Sequence, residues 1–137
     1  MNTTFESTNN KSRVLIVDDN SRFVRSAQLF LEHTGNYVAC AVNDPRRALE
    51  TARSFKPDLV LVDLIMPQAD GMEVAAQLEA DWALHGVALV FLTSLITAKE
   101  AKDGRRVYGH RILPKPASGS ELIQLVEQNL PSCAEVY

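Results

Sequence analysis

Val14-Leu15-Ile16-Val17-Asp18-Asp19-Asn20 sets four consecutive apolar residues against two acids and an amide. Leu59-Val60-Leu61-Val62-Asp63 repeats the same plan farther along the chain. Neither run alternates apolar with polar residues, so a strand made from either is covered on both faces. Such strands need helices between them, and the intervening sequence supplies candidates. From Asn20 to Thr34, Phe23, Val24, Ala27, Phe30 and Leu31 recur on one helical face, and Gly35 stops the segment. Tyr37 to Val42 reads as a second strand. Asp44-Pro45 pairs an N-cap with a first-turn proline, opening a helix with Ala48, Leu49, Ala52 and Phe55 inward. Met72, Val74, Ala75 and Leu78 mark a third helix, and Val87 to Leu92 a fourth strand. Residues 97 to 107 make a poor fourth helix, with Gly104 inside and few apolar positions. Ile112-Leu113 ends a weak fifth strand, and Ser118 with Glu121 fits a capping box before Leu122, Ile123, Leu125 and Val126. Strand and helix therefore alternate through five units. Right-handed crossovers favour an α/β fold with a doubly wound five-stranded parallel sheet, (βα)5.

Composition narrows the function classes. The 137 residues carry 14 Lys+Arg against 17 Asp+Glu, a net charge of −3. That balance argues against a general nucleic-acid or anionic-membrane binder, which needs a positive excess. Cys40 and Cys133 form no CxxC pair, so a disulfide scaffold or a zinc site is not expected. No signal-peptide core opens the chain and no apolar run is long enough to cross a bilayer, so the expected compartment is the cytoplasm. Polar residues 1–11 read as a flexible tail, 12–130 as the folded domain, and 131–137, following Pro131, as a second tail.

In doubly wound sheets, sites lie beyond the carboxyl ends of the strands. Here those ends carry Asp18-Asp19, Asp63, Thr93-Ser94 and Lys115-Pro116. Each has an ordinary alternative. Asp19 or Asn20 could cap the first helix, Asp63 could be a turn residue before the Pro/Gly loop, Thr93 a cap, and Lys115 a solvated surface lysine. Their joint placement points elsewhere. Three carboxylates brought close together in apolar surroundings repel and need a cation. Hard oxygen donors suit Mg²⁺, which also takes a phosphoryl oxygen. Lys115 and the Thr93 hydroxyl are donors suited to phosphoryl oxygens.

The ordered set Val14–Asn20, Asp58–Pro67, Asp70-Gly71, Leu92-Thr93-Ser94 and Leu113-Pro114-Lys115-Pro116 resembles the receiver domain of bacterial two-component response regulators, of the single-domain chemotaxis type. The resemblance spans roughly residues 12–130 and implies a flavodoxin-like fold. It implies that Asp63 accepts a phosphoryl group from a sensor histidine kinase or histidine phosphotransfer protein. It further implies that Mg²⁺ is held by Asp19, Asp63 and the backbone carbonyl of Ile65, with Asp18 acting mainly through water. Thr93 and Lys115 would then bind the phosphoryl oxygens, and a cis Lys115–Pro116 bond would aim the lysine. On this reading the chain is a phosphoacceptor and not an enzyme in the usual sense, although it assists its own phosphorylation and dephosphorylation. Its output passes to a downstream protein target, as a monomer or a weak phosphorylation-dependent dimer, with no direct nucleic-acid or membrane contact.

Several positions depart from the family pattern. Ile112 stands where an aromatic residue is usual, three residues before the lysine. This shifts the expected switch to the segment around residues 94–108. Ile65 and Leu95, two residues after Asp63 and Thr93, are apolar and cannot orient water. Slow self-dephosphorylation follows as an expectation. Arg105, Arg106 and Arg111 form a basic patch, read as a solvated face or a dock for an acidic partner. Trp82, Phe23, Phe30 and Phe55 read as packing residues. A nucleotide-binding α/β domain would want a GxGxxG or GxxxxGK(S/T) motif, and neither is present. A metal-dependent phosphatase of this layout would want a second Asp two residues after Asp63, where Ile65 stands. A phosphorylation-independent interaction domain would not need the complete set of Asp18, Asp19, Asp63, Thr93 and Lys115.

Overall fold

Neighbouring residues of the central strands go to opposite sides of one sheet, which is why their sequences are apolar without interruption. The computed structural model describes residues 11–67, 69–95, 106–107 and 109–131. Its strands are β1 (Ser12–Val17), β2 (Tyr37–Val42), β3 (Leu59–Asp63), β4 (Ile65–Met66), β5 (Ala69–Asp70), β6 (Ala88–Thr93), β7 (Arg106–Val107) and β8 (His110–Pro114). The α-helices among the described residues are α1 (Ser21–His33), α2 (Ala48–Phe55), α3 (Gly71–Glu79) and α4 (Gly119–Asn129). The main sheet has the order β2-β1-β3-β6-β8-β7. Its first five strands are parallel.

Val14 and Ile16 of β1 face one layer, with Val24, Ala27 and Leu31 of α1 and Leu122, Leu125 and Val126 of α4. Leu15 and Val17 face the other, with Ala48 and Ala52 of α2 and Val74, Ala75 and Leu78 of α3. The chain enters at β1, steps out to β2 and returns to β3 on the opposite side of β1. Helices consequently leave β1 and β3 towards opposite faces, opening a crevice at their carboxyl ends.

The helix starts follow from capping. The Asn20 side chain accepts from the Phe23 N–H at 3.1 Å. Ser118 Oγ accepts from Glu121 N–H at 3.2 Å, while Glu121 reaches back to the Ala117 N–H at 2.7 Å. After Asp44, the first turn is a 3₁₀ segment at Pro45–Arg47, and α2 proper begins at Ala48.

Four local readings need correction. Arg106 and Val107, read as the end of a helix, form β7, paired antiparallel with β8 through Arg106↔Arg111 and Val107↔His110. Gly109, at φ 83, permits the tight reversal that makes this hairpin. The remainder of that expected helix, together with Arg105 and most of the expected switch segment, lies outside the described residues. Trp82 is 85% exposed and stacks on His85. Asp81 caps a new 3₁₀ turn there, which breaks the phase of α3 and turns Leu84 inward in its place. Phe30 is 51% exposed and lies against Gly119 at the start of α4, so it covers a helix junction. Finally, Lys115–Pro116 is trans, since no cis peptide bond occurs among the described residues.

Candidate functional site

The crevice collects its groups by strand pairing. Asp18 follows β1 and donates its backbone N–H to the Val42 carbonyl at 3.1 Å, so its position is set by the sheet. Asp63 ends β3, in register with Leu92 of β6, and Thr93 is one residue beyond. The Lys115 N–H donates to the Thr93 carbonyl at 3.0 Å and extends the β6–β8 pairing past the last strand residue. Three neighbouring strands thus deliver Asp63, Thr93 and Lys115 to one rim.

Carboxylate oxygens of Asp18, Asp19 and Asp63 all lie within 4.8 Å of one another. Asp18 and Asp63 are buried, whereas Asp19 stands farther out. Lys115 Nζ lies 2.7 Å from Asp18 Oδ2 and 3.5 Å from Asp63 Oδ2. Lys115 therefore reaches the acids through a trans bond. The remaining Asp63 oxygen accepts from the Ile65 N–H at 3.3 Å, and Asp18 Oδ1 accepts from the Asn20 N–H at 3.0 Å. Thr93 is buried, with its Oγ accepting from the Leu95 N–H at 3.1 Å. Ile65 itself opens β4 and pairs with Asp70.

The electrostatics follow from crowding like charges in a partly buried crevice. Burial first, then repulsion from Asp18, pushes the Asp63 carboxyl up to about 6, although Lys115 opposes the shift. Asp19 is also raised, by its loss of water and then by Asp18. For Lys115, burial works against the charge, but pairing with Asp18 and then Asp63 outweighs it and holds the ammonium above its ordinary value. Three carboxylates face one ammonium, so the cluster is under-neutralised. Asp18 Oδ2 is buried and has the Lys115 charge beside it but, among the described residues, no well-directed hydrogen bond. Hard oxygen donors and an excess of negative charge over one ammonium are what a Mg²⁺ ion would complete.

Two residues shape this site in ways that their sequence context does not announce. Gly71 donates its N–H to the Leu64 carbonyl at 3.0 Å. A side chain there would run into the Asp63 carbonyl oxygen and come 2.8 Å from Leu64 Cα. The Asp70-Gly71 pair was visible as a motif, with Asp70 Oδ1 capping α3 through the Met72 N–H at 2.9 Å. The close approach of the backbones was not. Phe23, read as packing, has its ring centroid 5.1 Å from Lys115 Nζ. No signal in the sequence connects positions 23 and 115. Ile65 and Leu95 stand at the rim, 55% and 71% exposed.

The profile of the response regulator receiver domain matches residues 14–127. Protein PilG of Pseudomonas aeruginosa is 28% identical over 124 residues, covering 90% of this chain and 91% of that protein. The DNA-binding response regulator MtrA of Mycobacterium tuberculosis is 30% identical over 120 residues, and the chain spans 51% of its length. The structure of chemotaxis protein CheY4 of Vibrio cholerae superposes with a TM-score of 0.71 at 24% identity, covering 88% of this chain and 99% of that one. That last likeness concerns the fold.

Proposed function

The chain belongs to the response regulator receiver domain family, and from that premise we propose that Asp63 is its phosphoacceptor, served by Thr93 and Lys115. Receiver domains are signalling phosphoacceptors that take phosphoryl groups from histidine kinases and act on downstream targets. For this chain the donor is a sensor histidine kinase or a histidine phosphotransfer protein. The recipient of the signal is another protein. The working unit is residues 12–130, acting in the cytoplasm as a monomer or a weak phosphorylation-dependent dimer.

In the reaction, an Asp63 carboxylate oxygen forms a bond to phosphorus as the bond from phosphorus to the donor's imidazole nitrogen breaks. The electron pair of that bond leaves with the imidazole. Asp63 has to be ionised to attack, and its raised proton affinity makes this the group most sensitive to its surroundings. Lys115, already between Asp18 and Asp63, is placed to neutralise the phosphoryl oxygens. The Thr93 hydroxyl can turn from the Leu95 N–H to donate to one of them. Asp19, Asp63 and the Ile65 carbonyl would hold Mg²⁺, with Asp18 contacting it through water. The ion, when bound, supplies the charge neutralisation that phosphoryl transfer chiefly requires. The chain assists both the gain and the hydrolysis of its phosphoryl group by positioning and charge neutralisation.

The observation that carries this reading is the buried Asp63 carboxylate, set between an acidic partner and the Lys115 ammonium at the carboxyl end of β3. Incubation with acetyl phosphate and Mg²⁺, followed by intact-protein mass spectrometry, tests it. One phosphoryl adduct is expected, lost in Asp63→Asn and in EDTA. An adduct that persists in Asp63→Asn overturns the assignment.

A further inference from the structure

Lysine reaches its charge through a flexible four-carbon stem, and an ammonium drawn only by carboxylates has no fixed direction of approach. In this site the carboxylates of Asp18 and Asp63 draw Lys115 Nζ, at 2.7 and 3.5 Å. The ring face of Phe23 meets it as well, with the centroid 5.1 Å away. That spacing is within the range where a cation is attracted to an aromatic face.

The backbone that carries the ring is tied to the acidic cluster. Asp18 Oδ1 accepts from the Asn20 N–H, and Asn20 Oδ1 accepts from the Phe23 N–H. The first turn of α1 is thereby tied to the same aspartate that Lys115 engages through its other oxygen. The contacts form a closed circuit from Asp18 to Asn20 to Phe23 to Lys115 and back to Asp18. Phe23 is also partly buried against the α1–α4 layer, beside Pro116 and Ala117. Leucine would satisfy the apolar side of that position. Only an aromatic residue also offers the ammonium a negative face.

We propose that Phe23 is a positioning residue for Lys115, holding its ammonium over the Asp18–Asp63 pair so that it meets the incoming phosphoryl group already oriented. The inference rests on the reading of Asp63 as phosphoacceptor. It adds Phe23 to the groups that govern phosphoryl transfer, because small misplacements of a charge-neutralising group are expensive in rate.

The test uses the full chain with Phe23→Leu, which keeps an apolar filler, and Phe23→Tyr, which restores the ring. Two quantities are read: the rate of the Asp63 adduct from acetyl phosphate and Mg²⁺, and the NMR shift of the Lys115 ε-methylene protons, which an aromatic face moves upfield. In Phe23→Leu, adduct formation slows about three- to tenfold, as expected from losing a partly desolvated cation–π contact. The upfield shift disappears, and Phe23→Tyr recovers both. A purely structural role would leave rate and shift insensitive to the ring once the volume is filled. If the parent forms an adduct and Phe23→Leu forms it at the same rate, this inference alone is overturned. Tyrosine as slow as leucine overturns it too. No adduct in the parent overturns the phosphoacceptor reading and this inference with it.

Discussion

Asp63→Asn is expected to stabilise the Mg²⁺-free protein, although it destroys the proposed function. Burial and Asp18 raise the Asp63 carboxyl from its ordinary 3.8 to about 6. The folded state therefore binds its proton more tightly than the unfolded chain does. Between about pH 4 and 6 the native state holds more protons, so stability falls as pH rises through that window, and above it the whole cost is present. Roughly two decades of proton affinity correspond to about 3 kcal/mol, at ~1.4 kcal/mol per decade. Allowing for the watery rim of the site, about 1–3 kcal/mol is the expected gain from removing the charge. Asparagine keeps the shape and still accepts from the Ile65 N–H. Urea titrations in EDTA, followed by far-UV circular dichroism, read the difference. With a slope of ~2 kcal/mol/M, the Asn variant's midpoint lies about 0.5–1.5 M higher at pH 7.5. Near pH 4 the two midpoints converge, because the parent's Asp63 is protonated there. A variant less stable than the parent at pH 7.5, or a gain that persists unchanged at pH 4, would refute the claim that an under-neutralised carboxylate strains this crevice.

Mg²⁺ should stabilise the parent by ~2.7 kcal/mol at a hundredfold excess over its dissociation constant, about 8–10 °C in melting temperature for a chain of this size. Its affinity should rise with pH through about 6, as Asp63 gives up its proton; coincident melts in Mg²⁺ and EDTA would remove the metal site. Gly71→Ala should cost about 1–3 kcal/mol, because the new methyl forces the Asp63–Leu64 backbone away. It should also weaken Mg²⁺ stabilisation, and calorimetry showing unaltered Mg²⁺ affinity would mean that the close approach does not set the ligand geometry. The exposed Ile65 and Leu95 flank the rim without polar groups to hold a hydrolytic water. An Ile65→Asn, Leu95→Glu double variant should therefore release phosphate from the phosphoprotein at least about threefold faster; a rate no faster than the parent's would refute this.

The layered fold was legible because it rests on local pattern. Unbroken apolar runs at Val14–Val17 and Leu59–Val62 demanded cover on two faces, and the Asp44 and Ser118 caps marked where two of the covering segments begin, while of Asp19 and Asn20 it is Asn20 that caps the first helix. The acids, hydroxyl and lysine were legible too, since a residue just past a buried parallel strand has one rim available to it. Other features depended on contacts between distant segments. Helical spacing predicted that Trp82 and Phe30 pack inward, yet a fresh turn capped by Asp81 presents Trp82 to solvent and the start of α4 takes Phe30 as a lid. Arg106 and Val107 carry too few residues for a periodicity, so pairing with β8 decided their state. The trans Lys115–Pro116 bond delivers the lysine to Asp18 all the same, because the Lys115 N–H is already held by the Thr93 carbonyl. The sequence alone determined which side chains carry charge at the strand ends and which faces are apolar, both being properties of a residue and its near neighbours. Only the tertiary structure decided how strongly Asp63 holds its proton, what crowds Gly71, and that a ring from α1 faces the ammonium after β8. Burial, repulsion and ring placement depend on distances across the sheet, which separation along the chain does not encode.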